Sequence, residues 1–184
     1  WWGLLRCRAR ERDQNTGFDP ALWSAGNAPS LYQPICLSGA AGNDWLYGDS
    51  GNDRLEDGAG DDTLFGGSGA DTVIASEGND IIDGGTDFDT LDFSAVQAGV
   101  DVNLHAKTAT SALTGLDSIK GIERVIGSSF DDVLRGDKNA NTLAGGGGED
   151  HLRSAQGADT LTGGSGHDTF QFLRKDVMLD GVHQ

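Results

Sequence analysis

At 184 residues the chain has room for one domain or one elongated stack. Its formal charge of -16 is concentrated, since residues 38–184 hold 26 Asp+Glu against nine Lys+Arg. Such an acidic body repels nucleic acid and anionic membrane surfaces and attracts cations, and no apolar run approaches the ~18 residues of a membrane span.

Residues 1–37 carry a balance of +1 and mix Trp, Arg and Pro without period, so no fold follows for them. The start, Trp1-Trp2-Gly3-Leu4-Leu5-Arg6, has neither an initiator Met nor the apolar core of a Sec-type signal, and the chain is expected to be a fragment of a larger protein. Cys7 and Cys36 match no metal motif. A disulfide formed in an oxidising compartment and two incidental thiols both fit them.

Residues 38–92 form six uninterrupted nonapeptides. Asp44, Asp53, Asp62, Asp71, Asp80 and Asp89 stand nine apart, and two residues after each comes Leu46, Leu55, Leu64, Val73, Ile82 or Leu91. Glycines at the first, second and fourth positions, as in Gly66-Gly67-Ser68-Gly69, suit a turn with positive φ. The last three residues, such as Thr63-Leu64-Phe65, suit a very short strand. Such a unit turns once per nine residues, so two units close one coil of eighteen. Stacked coils place their strands in parallel ladders roughly 4.8 Å apart, with the aliphatic residues meeting in a thin core.

Residues 93–126 break the beat but keep strand character, with Val100, Val102 and Leu104 alternating with Asp101 and Asn103. From Leu116 to Ile126 the apolar positions do not separate helix from strand, although the context favours strand. Residues 127–171 hold five more, less regular, nonapeptides with Asp132, Asn141, Asp150, Asp159 and Asp168 on the beat. The tail, 172–184, is mixed and uninformative.

In an eighteen-residue coil, Asp44, Asp62 and Asp80 line one edge, and Asp53, Asp71 and Asp89 the other. Carboxylates stacked this closely repel unless a cation lies between them. Calcium accepts six to eight oxygens at about 2.3–2.6 Å from carboxylates and carbonyls alike, and glycine-rich turns leave their carbonyls uncovered. An EF-hand loop fails as the competing reading. Starting from Asp87, Asp92 stands where glycine is required and Ala98 where the bidentate acid belongs.

These repeats resemble the RTX (hemolysin-type) calcium-binding nonapeptides. The resemblance spans residues 39–92 and 127–171, and residues 94–127 resemble the spacer found between such blocks. It implies an all-β fold, a parallel β-roll or right-handed β-solenoid with several Ca2+ ions between alternate repeats. The sites it implies pair Asp44 with Asp62 and Asp62 with Asp80, and on the other edge Asp53 with Asp71 and Asp71 with Asp89. In the second block it pairs Asp132 with Asp150 and Asp150 with Asp168, while Asp159 faces Asn141, which lowers the charge of that site. Asp53–Asp71 and Asp62–Asp80 are expected to bind best, and Asn141–Asp159 to be weak or empty. Phe130, at a glycine position, is expected to resist positive φ.

No catalytic centre is visible. Gly48-Asp49-Ser50-Gly51 has the look of a serine-protease nucleophile sequence but lies in phase with the repeat, and a triad needs partners. The histidines at 105, 151, 167 and 183 form no His-Glu-x-x-His, and His151 and His167 read as exposed turn residues. Gly145 to Gly148 lacks the lysine of a phosphate loop. The resemblance implies a calcium-dependent folding module of a secreted, extracellular protein exported by type I secretion machinery. The alternatives are the C-terminal part of a secreted enzyme (a serralysin-like metalloprotease, a lipase or an alginate epimerase) and an adhesin-like surface protein. Upstream sequence would discriminate them.

Overall fold

The computed structural model describes residues 34–172 and the short strand β1 (Arg8–Ala9). The strands of the first block are β2 (Cys36–Ser38), β3 (Trp45–Ser50), β4 (Arg54–Glu56), β5 (Thr63–Ser68), β6 (Thr72–Ile74), β7 (Ile81–Thr86) and β8 (Thr90–Asp92). After them come β9 (Val100–Asn103), β10 (Thr108–Ser111), β11 (Gly115–Lys120) and β12 (Arg124–Ile126). The second block holds β13 (Val133–Arg135), β14 (Thr142–Gly147), β15 (His151–Arg153), β16 (Thr160–Ser165) and β17 (Thr169–Gln171). No helix occurs among the described residues, and the architecture is an all-β parallel solenoid.

Alternate strands feed two facing sheets. One has the order β1-β2-β4-β6-β8-β12-β14-β16, the other β17-β15-β13-β9-β10-β11-β7-β5-β3. Within a block the partners lie eighteen residues apart, as Leu46↔Leu64↔Ile82 and Leu55↔Val73↔Leu91 show. The aliphatic residue of each nonapeptide points inward, and Leu46, Leu55, Leu64, Val73, Ile82, Leu91, Leu134, Leu143 and Leu152 are buried in one continuous core. Each buried aliphatic side chain contributes about 1.5–3 kcal/mol, so the core grows by a fixed increment per coil.

The strands depart from the expected three-residue length. β3, β5 and β7 run six residues because the glycine pair continues the ladder, with Gly67↔Gly85 and Ser68↔Thr86 paired. The intervening β4, β6 and β8 keep three residues. In the second block the six-residue strands, β14 and β16, sit in the opposite sheet. The Gly-Gly turns therefore change edge between the blocks.

The regular elements between the blocks are all strands joined by turns, and β11 and β12 resolve the ambiguity at Leu116–Ile126. β9, β10 and β11 form an antiparallel meander, with β11 parallel to β7 and β9 parallel to β13. On the other face β12 pairs directly with both β8 and β14. The insertion thus adds strands to one sheet only, and β11–β12 already make a coil in register with the first block. Phe93 is fully buried beside this junction.

On the outer face of β3 and β5, Tyr47 stacks on Phe65 with ring centroids 5.0 Å apart, and Trp45 lies beside both. His151 is exposed on β15, not in a turn, because it follows the ladder aspartate. No free cysteine occurs among the described residues. Cys36 is buried in β2, while Cys7 lies outside the described residues.

Candidate metal centres

Each beat aspartate from Asp53 onward accepts a main-chain N–H from the coil before it. The main-chain N–H of Asp44 donates to Oδ1 of Asp62 (2.7 Å), and that of Asp62 to Oδ1 of Asp80 (2.8 Å). On the other edge the N–H of Asp53 donates to Asp71 (2.7 Å) and that of Asp71 to Asp89 (2.8 Å). The second block repeats this with Asp132 to Asp150 (2.9 Å), Asp150 to Asp168 (3.2 Å) and Asn141 to Asp159 (2.9 Å). Every pairing implied by the repeat is therefore brought together across one coil. All these aspartates are buried except Asp159 and Asp168, which are half-buried near the end of the stack.

The second carboxylate oxygen behaves differently. Oδ2 of Asp53, Asp62, Asp71, Asp89, Asp150 and Asp159 is buried without a hydrogen-bond partner. A buried acceptor left unpaired is costly, on the order of 1–3 kcal/mol and more when charged. Those of Asp53, Asp71, Asp89 and Asp150 face the first glycine of their own repeat. A Cβ on Gly48 would lie 2.7 Å from Oδ2 of Asp53, and one on Gly84 2.8 Å from Oδ2 of Asp89.

The first glycine is thus required for room, which corrects the expectation of positive φ at that position. In the best-formed turn, Gly67 and Gly69 both have φ of 113°, while Gly66 does not enter the left-handed region. Where the second or fourth glycine is replaced, Ala40, Asp49 and Asp87 take φ of 75°, 70° and 82°.

The carboxyls bear the cost of this crowding. Burial pushes Asp62 and Asp71 up to about 6, although a main-chain N–H pulls the other way and neighbouring aspartates add to the rise. Asp89 is pushed to about 7 by burial, with Asp71 and Glu123 adding charge repulsion. Burial also raises Asp53, Asp132 and Asp150.

Three acids that the nine-residue beat does not mark join these columns. Asp117 lies opposite Asp80, and its Oδ1 accepts the N–H of Asp80 (3.1 Å) as Asp80 accepts that of Asp62. Glu123 likewise continues the other column, its Oε2 accepting the N–H of Asp89 (3.0 Å). Asp57 occupies the first position of its repeat, where glycine is usual, and is buried beside Asp62 and Asp80. The signal for Asp117 was in the sequence: Gly115-Leu116-Asp117-Ser118-Ile119 repeats the form of Gly78-Asn79-Asp80-Ile81-Ile82. It falls 37 residues on instead of 36, so a strict period passes over it.

Two positions in the second block break the pattern. Both oxygens of Asp132 are engaged by Ser128, whose N–H donates to Oδ2 (2.6 Å) and whose hydroxyl donates to Oδ1 (3.0 Å). The same hydroxyl accepts the N–H of Phe130 (3.0 Å), and this serine turn lets Phe130 avoid positive φ. Asn141 accepts the N–H of Asp137 with its Oδ1 (2.8 Å), and its buried amide nitrogen has no partner. An N–H donor cannot ligate a cation.

The donor set is carboxylate and main-chain carbonyl oxygen alone, with unpaired anionic oxygens aimed into tight glycine turns. That suits a hard divalent cation such as calcium and no softer metal. Among family models, that of the RTX calcium-binding nonapeptide repeat matches in four copies, over residues 37–56, 56–91, 119–152 and 137–170. The third copy begins inside β11, where the out-of-phase coil resumes the register. No curated protein matches the chain. The matched copies together span more than half of the sequence, and the chain belongs to the RTX calcium-binding nonapeptide repeat family.

Proposed function

We propose that this chain is a calcium-dependent folding module of a secreted protein. Asp44, Asp53, Asp62, Asp71, Asp80, Asp89, Asp132, Asp150, Asp159 and Asp168 are its ligands. The observation that carries the reading is the recurrence of buried, unpartnered Oδ2 atoms along both edges, at Asp62, Asp117 and Asp150 on one and Asp53, Asp71, Asp89 and Asp159 on the other. Bound calcium supplies the positive charge and the open coordination positions that these oxygens lack. Without it the aspartates repel along each column and the coils do not stack; with it, binding energy becomes folding energy. Residues 38–92 and 127–171 act as two blocks, and residues 93–126 join them.

The family's repeats are typical of secreted bacterial proteins. The chain stays extended in low cytosolic calcium while type I secretion machinery exports it, and the roll forms in the calcium-rich exterior. Circular dichroism in chelator and after calcium addition tests this. A coil spectrum turning β-rich on calcium addition is expected. A spectrum already β-rich in chelator and unchanged by calcium overturns the switch.

A further inference from the structure

The Asp62–Asp80 step differs from every other step of the columns. One oxygen each from Asp57, Asp62 and Asp80 lies within 4.8 Å of the others, the closest grouping of its kind among the described residues. All three side chains are at least 98% buried, since their exposures are 1%, 1% and 2%. Oδ2 of Asp57 and Oδ2 of Asp62 have no hydrogen-bond partner. Asp57 is held in place by the hydroxyl of Ser76 (2.6 Å) and the N–H of Gly58 (2.9 Å), both on its Oδ1, which leaves Oδ2 buried and without a hydrogen-bond partner. Asp117, with its own Oδ2 buried and unpaired, stacks on Asp80 from the following coil. A cavity of about 490 Å³ reaches Asp57 from outside, and Glu56, Glu77 and Thr114 share its lining.

We propose that Asp57, Asp62 and Asp80 form a three-carboxylate cation site, backed by Asp117, that binds a hard cation more tightly than the two-carboxylate steps and is filled first. The proposal rests on the calcium reading above and adds a ligand at a position where the repeat has glycine. Affinity for hard cations in oxygen cages rises with ligand charge, so the third carboxylate selects strongly charged ions. Because Asp117 belongs to β11, filling this site also ties the inserted meander to the first block.

Terbium and calcium titrations of the full chain, read by sensitised luminescence and calorimetry, test this against Asp57→Gly, which restores the usual repeat. Asp57→Asn, which keeps the shape and the Ser76 contact, serves as a second variant should the glycine chain fail to fold. Both are expected to keep the calcium-induced β spectrum while the first ion binds roughly tenfold more weakly, as expected for one carboxylate fewer. Asp53→Asn, which touches a two-carboxylate step, is expected to leave the first ion unchanged. A first ion bound within twofold of wild type by a folded Asp57 variant overturns the proposal and leaves the general calcium reading standing. A wild-type chain that binds no calcium overturns both.

Discussion

A methyl group on Gly66 would run into Oδ2 of Asp71 and the carbonyl of Gly84, whereas Gly67 is needed for its φ of 113°. Neighbouring glycines in one turn therefore answer to different physics, room for a ligand oxygen in one case and backbone torsion in the other. Gly66→Ala is expected to cost roughly 1–3 kcal/mol of stability in saturating calcium, the usual range for overpacking. Ser68→Ala, at the exposed variable position, should stay within about 0.5 kcal/mol. Urea denaturation of both variants checks the contrast, and equal losses would contradict the space argument. Asn141 shows the opposite failure, since the backbone is in register but a donor replaces the acceptor.

The columns behave as elements with ends. Asp53 ends one of them, because its Oδ1 accepts the N–H of Ile35, a residue with no carboxylate to offer. Asp89 looks terminal by count, yet Glu123 continues its column. Asp62 stands inside its column between Asp44 and Asp80. Asp62→Ala should therefore lose roughly tenfold more calcium affinity than Asp53→Ala, because it removes charge from two steps instead of one. Calorimetric titration of the two variants decides this, and matched losses would argue against shared ligands. The meander lengthens only one sheet, and ion pairs of Lys120 with Asp83 (2.8 Å) and of Arg135 with Asp101 lie on its outer face.

Across the whole molecule the raised carboxyls set a pH dependence of definite sign. Asp62 and Asp71 at about 6, and Asp89 and Asp117 at about 7, all lie above the ordinary 3.8. For Asp117 burial leads, with the charge of Asp57 adding to it. Without calcium the folded chain then holds more protons than the unfolded one from about pH 4 to pH 7, and its stability falls as pH rises through that window. Calcium must displace those protons, so its affinity rises over the same window. Circular dichroism in chelator should show more β structure at pH 4.5, where the buried carboxyls are protonated, than at pH 7.5. Calcium titrations should show the reverse order.

The nine-residue spacing of aspartate and aliphatic residue already determined the coil, the two edges, the inward core and the carboxylate pairs, because a period-eighteen stack forces those neighbours together. It determined strand character from Val100 to Leu104 for the same local reason. What it left open depends on contacts between residues out of phase. Asp57 sits at a turn position the beat treats as glycine, and Asp117 and Glu123 reach their columns only because the meander returns β11 to β7. The length of the glycine-paired strands was also decided between coils, since a glycine pair that reads as a turn alone becomes a ladder when another lies above it. Period is a property of the chain; which acids share one space is a property of the stack, because only folding brings an out-of-phase carboxylate beside an in-phase one.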